Sequence, residues 1–405
     1  MAKDGKVKLA CFVLPHVGGT YSVFKSLHVG LADYGLDVRW ISRCEDGYEL
    51  PAAMRAESSL GQLLKMPKDL PERASAKRMA DAITNGDFDG VIINVLGDRL
   101  ETNIARYLPE HLLRILIVHN ITPGTYSAAK AIRDYAHATV GVSERSRSDL
   151  VEGYGFPAER THVIANAVDT TAFNAAARHR RRSEAGLQAL FVGRIEDASK
   201  GVLWLREILD ALPESISLTI VGDGPDMHKL KRRLAPHGRR VQYLGALPAK
   251  DIPPIMAGHD VLIMPSRFEG LPVTLIEAMA AGCVPVASHI RGVTDTVIES
   301  GKSGMLFPVG NHAAAANAVT RLHRDRRLLE SMSVAARETV SRSFGLQKMA
   351  DRYHDVIATA VRNRPKLAPV LAIDEWAIPL GLRPGLRTYV PLPIKNWLRV
   401  IRERL

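Results

Sequence analysis

Cysteine is scarce: Cys11, Cys44 and Cys283 are odd in number and far apart in 405 residues, which excludes a disulfide framework. Free thiols in a reducing compartment are the expectation, and no Cys/His spacing forms a zinc pattern. No apolar run reaches the roughly 20 residues that a membrane-spanning helix needs. The N-terminus, Met-Ala-Lys-Asp-Gly-Lys, has no signal-peptide core; it leads straight into the strand-like run Val7–Leu14, and a cytoplasmic location is expected. What is present is the composition of a soluble globular protein, 46% apolar and 24% charged. At 405 residues the chain exceeds what one core usually fills, so two domains are expected.

The net charge of +11 is unevenly placed, because residues 361–405 hold nine basic side chains against Asp374, Glu375 and Glu403. In the first half, strand-like runs at Val7–Leu14, Asp37–Ile41, Gly90–Val95, Arg114–His119 and Thr139–Ser143 alternate with helical patterns such as Tyr21–Tyr34 and Lys77–Thr84. The second half repeats the alternation, with strands expected at Ala189–Val192, Leu218–Val221, Val241–Leu244, Val261–Met264, Val284–Ser288 and Met305–Pro308. Helices are expected between them, at Val202–Leu212 and Met227–Ala235 among others. Such alternation predicts parallel sheets with helices on both faces. The expected division is 1–168, a linker at 169–186, 187–343, and a C-terminal part at 344–405. The run His179-Arg-Arg-Arg182 within the linker reads as a solvated connector, since no nucleic-acid-binding module accompanies it.

The most informative stretch is Phe268-Glu-Gly-Leu-Pro-Val-Thr-Leu-Ile-Glu277-Ala-Met-Ala-Ala-Gly282. The buried-strand pattern Val261–Met264 precedes it. Pro272 suits the first helical position and Gly282 the left-handed residue after the last turn. Glu269 then lies in the loop, and Glu277 shares a helix face with Val273. Amides at the helix start can meet phosphate while the Glu277 carboxylate reaches hydroxyls farther along. Taken alone, each glutamate reads as an ordinary exposed residue; the ordered motif around them favours a site.

Ser-x-x-Glu-Gly-x-Pro, Glu-Ala-Met-Ala-x-Gly and the following strand Val284–Ser288 together resemble the donor site of retaining glycosyltransferases of family 4, in the GT-B superfamily. That resemblance implies two Rossmann-like domains facing across a cleft, an acceptor side in the first and a nucleotide-sugar site in the second. It also covers Gly193-Arg194 through Lys200-Gly201, whose two cations can clamp a diphosphate. By resemblance Gly18, Gly19, Arg194, Lys200, Glu269, Gly270, Leu271, Val273 and Glu277 hold the donor, while His119, Glu269, Arg194 and Lys200 carry catalysis. Tyr243-Leu-Gly245 matches the place where backbone meets the base. Val221-Gly-Asp-Gly-Pro225 lacks the full dinucleotide fingerprint and is assigned no contact. Val163-Ile-Ala-Asn166-Ala167-Val168-Asp169 matches the Pro-Asn-Gly-Val-Asp signature, with Ala165 and Ala167 as departures.

The expected reaction is hexose transfer from a UDP-, GDP- or ADP-sugar with retention, without an obligatory metal or further cofactor. Its acceptor is a glycan, a lipid-linked sugar or a small glycoside. A GT-B phosphorylase or nucleotide-sugar epimerase accounts less well for the Arg194, Lys200, Glu269 and Glu277 set. A catalytically silent sugar-nucleotide binder is the alternative of another class. Beyond a helical pattern over Phe344–Val361, which in the superfamily braces the first domain, six prolines break regular structure. An amphipathic segment follows, with Ile394, Trp397, Leu398, Ile401 and Leu405 on one face and arginines around them. Docking on the protein's own surface is the preferred reading, and an anionic membrane interface, near the inner face of a membrane, is the alternative.

Overall fold

The computed structural model describes residues 6–95, 97–178 and 186–404. The chain divides into two compact units, Met1–Ala165 with Gln347–Tyr389, and Asn166–Leu346 with Val390–Leu405. The expected connector His179–Arg182 and the last apolar position, Leu405, lie outside the described residues.

The first unit is built on a seven-stranded parallel sheet: β1 Val7–Phe12, β2 Leu36–Glu45, β3 Gly61–Met66, β4 Gly90–Asn94, β5 Leu113–Val118, β6 Ala138–Gly141 and β7 Thr161–Val163. Their order is β3-β2-β1-β4-β5-β6-β7, with every pairing parallel. Strands β4 and β5 are buried along their whole length, which is why they read as continuous apolar runs. Both edge strands escape that pattern. Strand β3, Gly-Gln-Leu-Leu-Lys-Met, is half exposed, and β7 is only three residues long.

The second unit has a six-stranded parallel sheet in the order β10-β9-β8-β11-β12-β13. Its strands are β8 Leu187–Val192, β9 Ile216–Val221, β10 Val241–Gly245, β11 Val261–Met264, β12 Val284–His289 and β13 Met305–Pro308. Leu187, Phe191, Leu218, Ile220, Val261, Ile263 and Val286 join helix residues such as Leu205, Leu230 and Val319 in one buried cluster. In both sheets the strand order reverses beside the first strand, β1 or β8, the place where doubly wound sheets open a crevice at their carboxyl ends.

Three local expectations change. Pro272 has an extended ψ of 114° and flanks the helix, which begins at Val273; a proline in that conformation is a cap, not a first helical residue. Thr170–Arg178, expected as linker, forms a helix that buries Phe173. Over 202–212, a short 3₁₀ turn at Val202–Trp204 precedes an α-helix limited to Leu205–Asp210.

The C-terminal chain passes back and forth between units. Helix Leu346–Asn363 buries Met349, Tyr353, Val356 and Ile357. On the first unit it receives Tyr34, whose ring stacks on His354 at 4.4 Å and whose hydroxyl bonds Asp351. The proline-rich stretch beyond it is strapped to the same unit. Trp376 packs against Tyr107 at 4.6 Å, and the Tyr107 hydroxyl accepts from the Ala377 amide at 2.9 Å. From Val390 the chain returns to the second unit and ends in the helix Leu392–Arg404.

Candidate functional site

Loops at the carboxyl ends of β8 and β11 carry most of the expected donor residues. The loop after β8 turns through Gly193 and Arg194 into a short helical turn, Asp197–Lys200, closed by Gly201 in the left-handed conformation. The loop after β11 runs through Ser266, Arg267 and Phe268 to Glu269 and into the helix Val273–Ala280. Gly282 follows that helix with φ of 75°, the left-handed residue that ends it.

The two loops meet at one ion pair. Lys200 Nζ donates to Glu269 Oε1 at 2.7 Å, and the Ser266 hydroxyl donates to the same oxygen at 2.7 Å. Glu269 is only 8% exposed, so its charge is held by these two donors and not by bulk water. Both bonds fall on Oε1; Oε2 has no such partner among the described residues and can accept from a ligand hydroxyl.

Arg267 fastens the pair from behind. Its guanidinium donates to the Asp197 carboxylate and to the Asp197 carbonyl, both at 2.8 Å, and lies 3.7 Å from the Trp204 ring centroid. Its backbone amide donates to Ser199 O at 2.7 Å. Gly201 is needed for this closeness, since a Cβ there would stand 2.2 Å from Pro265 O in a backbone of φ +60°. Farther along the rim, Gly222 packs backbone to backbone on Gly193, where a Cβ would fall 1.9 Å from the Gly193 oxygen. That contact is a structural job for the Gly-Asp-Gly turn.

Arg194 stands apart from the pair. Its side chain is 68% exposed, and its nearest carboxylate is Glu196 at 3.8 Å. Asn166 is buried, and its amide donates to Leu271 O at 2.8 Å, which anchors the loop leading to Val273. Leu271 and Val273 are themselves buried, and the Leu275 amide bonds back to Pro272 O, so the helix start is firmly held.

Glu277 lies one turn into the helix. Desolvation beside apolar helix residues, although the residue is only half-buried by surface, pushes its carboxyl up to about 7 from 4.5, and its side chain has no hydrogen-bond partner among the described residues. Such a group takes up a proton on folding that the unfolded chain does not hold. Its contribution to stability therefore declines as pH rises from about 4.5 through about 7. A ligand that uses Glu277 as a double acceptor takes only the ionised form. Nucleoside diphosphate affinity, measured by calorimetry, is expected to fall as pH drops below about 7, approaching tenfold per unit. Glu277→Gln should bind about 10–100-fold more weakly and lose that part of the pH profile, leaving the titration of the phosphate itself. An unchanged profile in the variant would remove Glu277 from the contact.

His119, Gly18 and Gly19 belong to the first unit. His119 directly follows β5, and its Nε2 sits 2.7 Å from Asn94 Oδ1, while the Asn94 amide donates to Phe12 O at 2.9 Å. With Asn94 presenting its oxygen, Nε2 carries the proton and Nδ1 keeps its lone pair. Desolvation by the packed strand ends, although the residue is only half buried by surface, pushes His119 down to about 4, so the ring is neutral at physiological pH. Gly18 precedes the helix Gly19–Ala32 with φ of 175°, extended backbone that any residue adopts. What limits its side chain is space, since a Cβ would meet the His16 ring at 2.7 Å.

Ser266, Arg267 and Arg399 were not singled out by sequence reasoning. The Ser-x-x-Glu spacing contained Ser266, but the partners of the two arginines lie far along the chain. Arg399, from the final helix, places its guanidinium 4.2 Å from the Phe268 ring centroid and donates to Ala198 O at 2.9 Å. Ala198 and Phe268 adjoin the segments that bear Lys200 and Glu269.

Comparison with known proteins bears on the fold and the class of protein. Residues 186–325 match the family model described as glycosyl transferases group 1. The chain is 27% identical over 324 residues to alpha-D-kanosaminyltransferase of Streptomyces kanamyceticus, covering 76% of this chain and 83% of that protein. It is 29% identical over 245 residues to glycogen synthase of Mycobacterium tuberculosis, with 58% of each chain covered. The crystal structure of Anabaena HepE in complex with UDP and glucose superposes with a TM-score of 0.72 at 17% identity, covering 87% of this chain and all of that one. The fold is GT-B, with two parallel sheets of Rossmann type, and the matches support a glycosyltransferase.

Proposed function

We propose that the protein is a retaining glycosyltransferase of family 4 that moves a hexose from a nucleotide sugar to a hydroxyl acceptor. The single observation that carries this reading is the Lys200–Glu269 pair beside the start of the Val273–Ala280 helix. Lys200 and the exposed Arg194 supply mobile positive charge to a departing diphosphate, and the helix start adds its oriented amides. Glu269, held by Oε1, offers Oε2 to hydroxyls of the sugar, while Glu277 accepts from the ribose. His119, neutral with a fixed tautomer, has the sugar-orienting role that the resemblance implies. No enzymic nucleophile is assigned. The bond from C1 to the phosphate oxygen breaks as the acceptor oxygen bonds C1 on the same face, and the acceptor proton passes to the leaving phosphate. Cations of the protein neutralise the leaving group in this scheme, so it needs no metal.

The similar proteins named above differ in what their names state, transfer of an alpha-D-kanosaminyl group in one case and synthesis of glycogen in the other. The acceptor is accordingly proposed only as a glycan, lipid-linked sugar or small glycoside. Incubation with UDP-, GDP- and ADP-hexoses, followed by mass spectrometry of products, tests the reading. Slow donor hydrolysis or transfer with one of them is expected, and transferred product should keep the donor's anomeric configuration. Saturable binding without any turnover would mark a sugar-nucleotide binder, and an inverted product would overturn retention.

A further inference from the structure

The helix Leu392–Arg404 sits on the second unit by the opposite face from the one its sequence pattern favours. Arg399 is held by Ala198 O and the Phe268 ring, and Arg404 Nε donates to Val309 O at 3.0 Å. Asn396 and Val400, on the same side as Arg399, are half-buried. Most of the amphipathic stripe is turned outward, since Ile394 is 48% exposed, Trp397 63% and Leu398 51%, while Ile401 is half-buried. Three neighbouring large apolar side chains on one helix face are an unusual thing to leave in water.

We infer that this stripe is a membrane-contacting surface, which seats the donor-binding unit on an anionic lipid interface. The composition of the segment argues for lipid over protein. The helix bears Lys395, Arg399, Arg402 and Arg404 against the single acid Glu403, and residues 361–405 carry a net +6. Arg399 is spent on docking the helix, so the charge available to anionic headgroups is that of the remaining basic side chains, with Arg402 exposed. A tryptophan between aliphatic residues matches the depth of the headgroup boundary. A second copy of the chain is the weaker occupant. Three half-exposed side chains fall well short of the about 800 Å² per partner that a standard protein interface buries, and a second helix with four cations and one acid would meet the first. Among the described residues no helix is long and apolar enough to cross a membrane, so the contact is one of lying on the surface.

Co-sedimentation of the full-length protein with vesicles tests this without reference to any enzymatic activity. Vesicles of phosphatidylcholine mixed with phosphatidylglycerol should bring the protein down, those of phosphatidylcholine alone much less, and added salt should weaken binding. The double variant Trp397→Ser with Leu398→Ser should lose at least about tenfold in vesicle affinity while keeping the wild-type melting temperature, since both side chains are exposed. Failure of the wild-type protein to bind either vesicle overturns the inference, as does equal binding by the double variant. So does a dimer in solution that the same two substitutions convert to monomer, which would reassign the stripe to a second copy.

Discussion

Lys200→Ala is expected to lower turnover about 10²–10³-fold, the usual cost of deleting one preorganised group that faces developing negative charge. Two losses combine. On the proposed mechanism the variant removes a cation from the departing diphosphate, and it strips the buried Glu269 carboxylate of its charged partner, leaving only the Ser266 hydroxyl on Oε1. Glu269→Gln separates the two effects. It keeps the Ser266 contact and the side-chain volume but no longer pairs with Lys200, and its damage should fall on the sugar side. Nucleoside diphosphate affinity measured by calorimetry should therefore drop in Lys200→Ala and change little in Glu269→Gln, while kcat falls in both. Near-normal transfer by either variant would remove that residue from the mechanism.

The second large effect belongs to Gly201→Ala. A methyl group there meets Pro265 O at 2.2 Å, a backbone atom at the end of β11 that cannot swing aside as a side chain would. Added to the cost of placing alanine at φ +60°, the overpacking should destabilise the second unit by about 2–5 kcal/mol. Calorimetry should show a fall in melting temperature of roughly 5–15 °C for the transition of that unit. Because the displaced loop carries Lys200, donor binding should weaken as well. A variant that melts with wild-type protein would show that the loop yields to the methyl group and overturn this expectation.

These two predictions mark where the sequence was informative. All six strands expected in the second half exist; the inner ones, β9, β8, β11 and β12, are largely buried and read as apolar runs, while the edge strands β10 and β13 are short β-prone segments that are only partly covered. Strands β3 and β7 were missed since an edge strand has an exposed side or few residues, and neither leaves a run to find. Glu269, Lys200 and Glu277 were readable as an ordered motif, but the direct Lys200–Glu269 bond was not. Spacing along a chain says which residues share a face of one helix, and those two come from loops 69 residues apart. Arg267 and Arg399 were hidden for a related reason: their importance lies in aromatic rings and carbonyls supplied by other segments. The final helix shows the reverse case. Its amphipathic pattern was correct, but periodicity gives the width of an apolar face without saying what meets it.

The path of the chain between the units has a consequence for synthesis. The first sheet is complete by residue 163, yet the helix and strap that cover part of its unit, Gln347–Tyr389, leave the ribosome about two hundred residues later. At about 5–20 residues per second that is a wait of roughly ten to forty seconds, during which the surface that will receive Tyr353 and Trp376 stands open. The second unit waits in turn for the helix Leu392–Arg404, made after that strap. Neither unit is therefore finished when its own sheet is, and a nascent chain halted after residue 308 but before residue 389 presents two incomplete bodies to the chaperones around it.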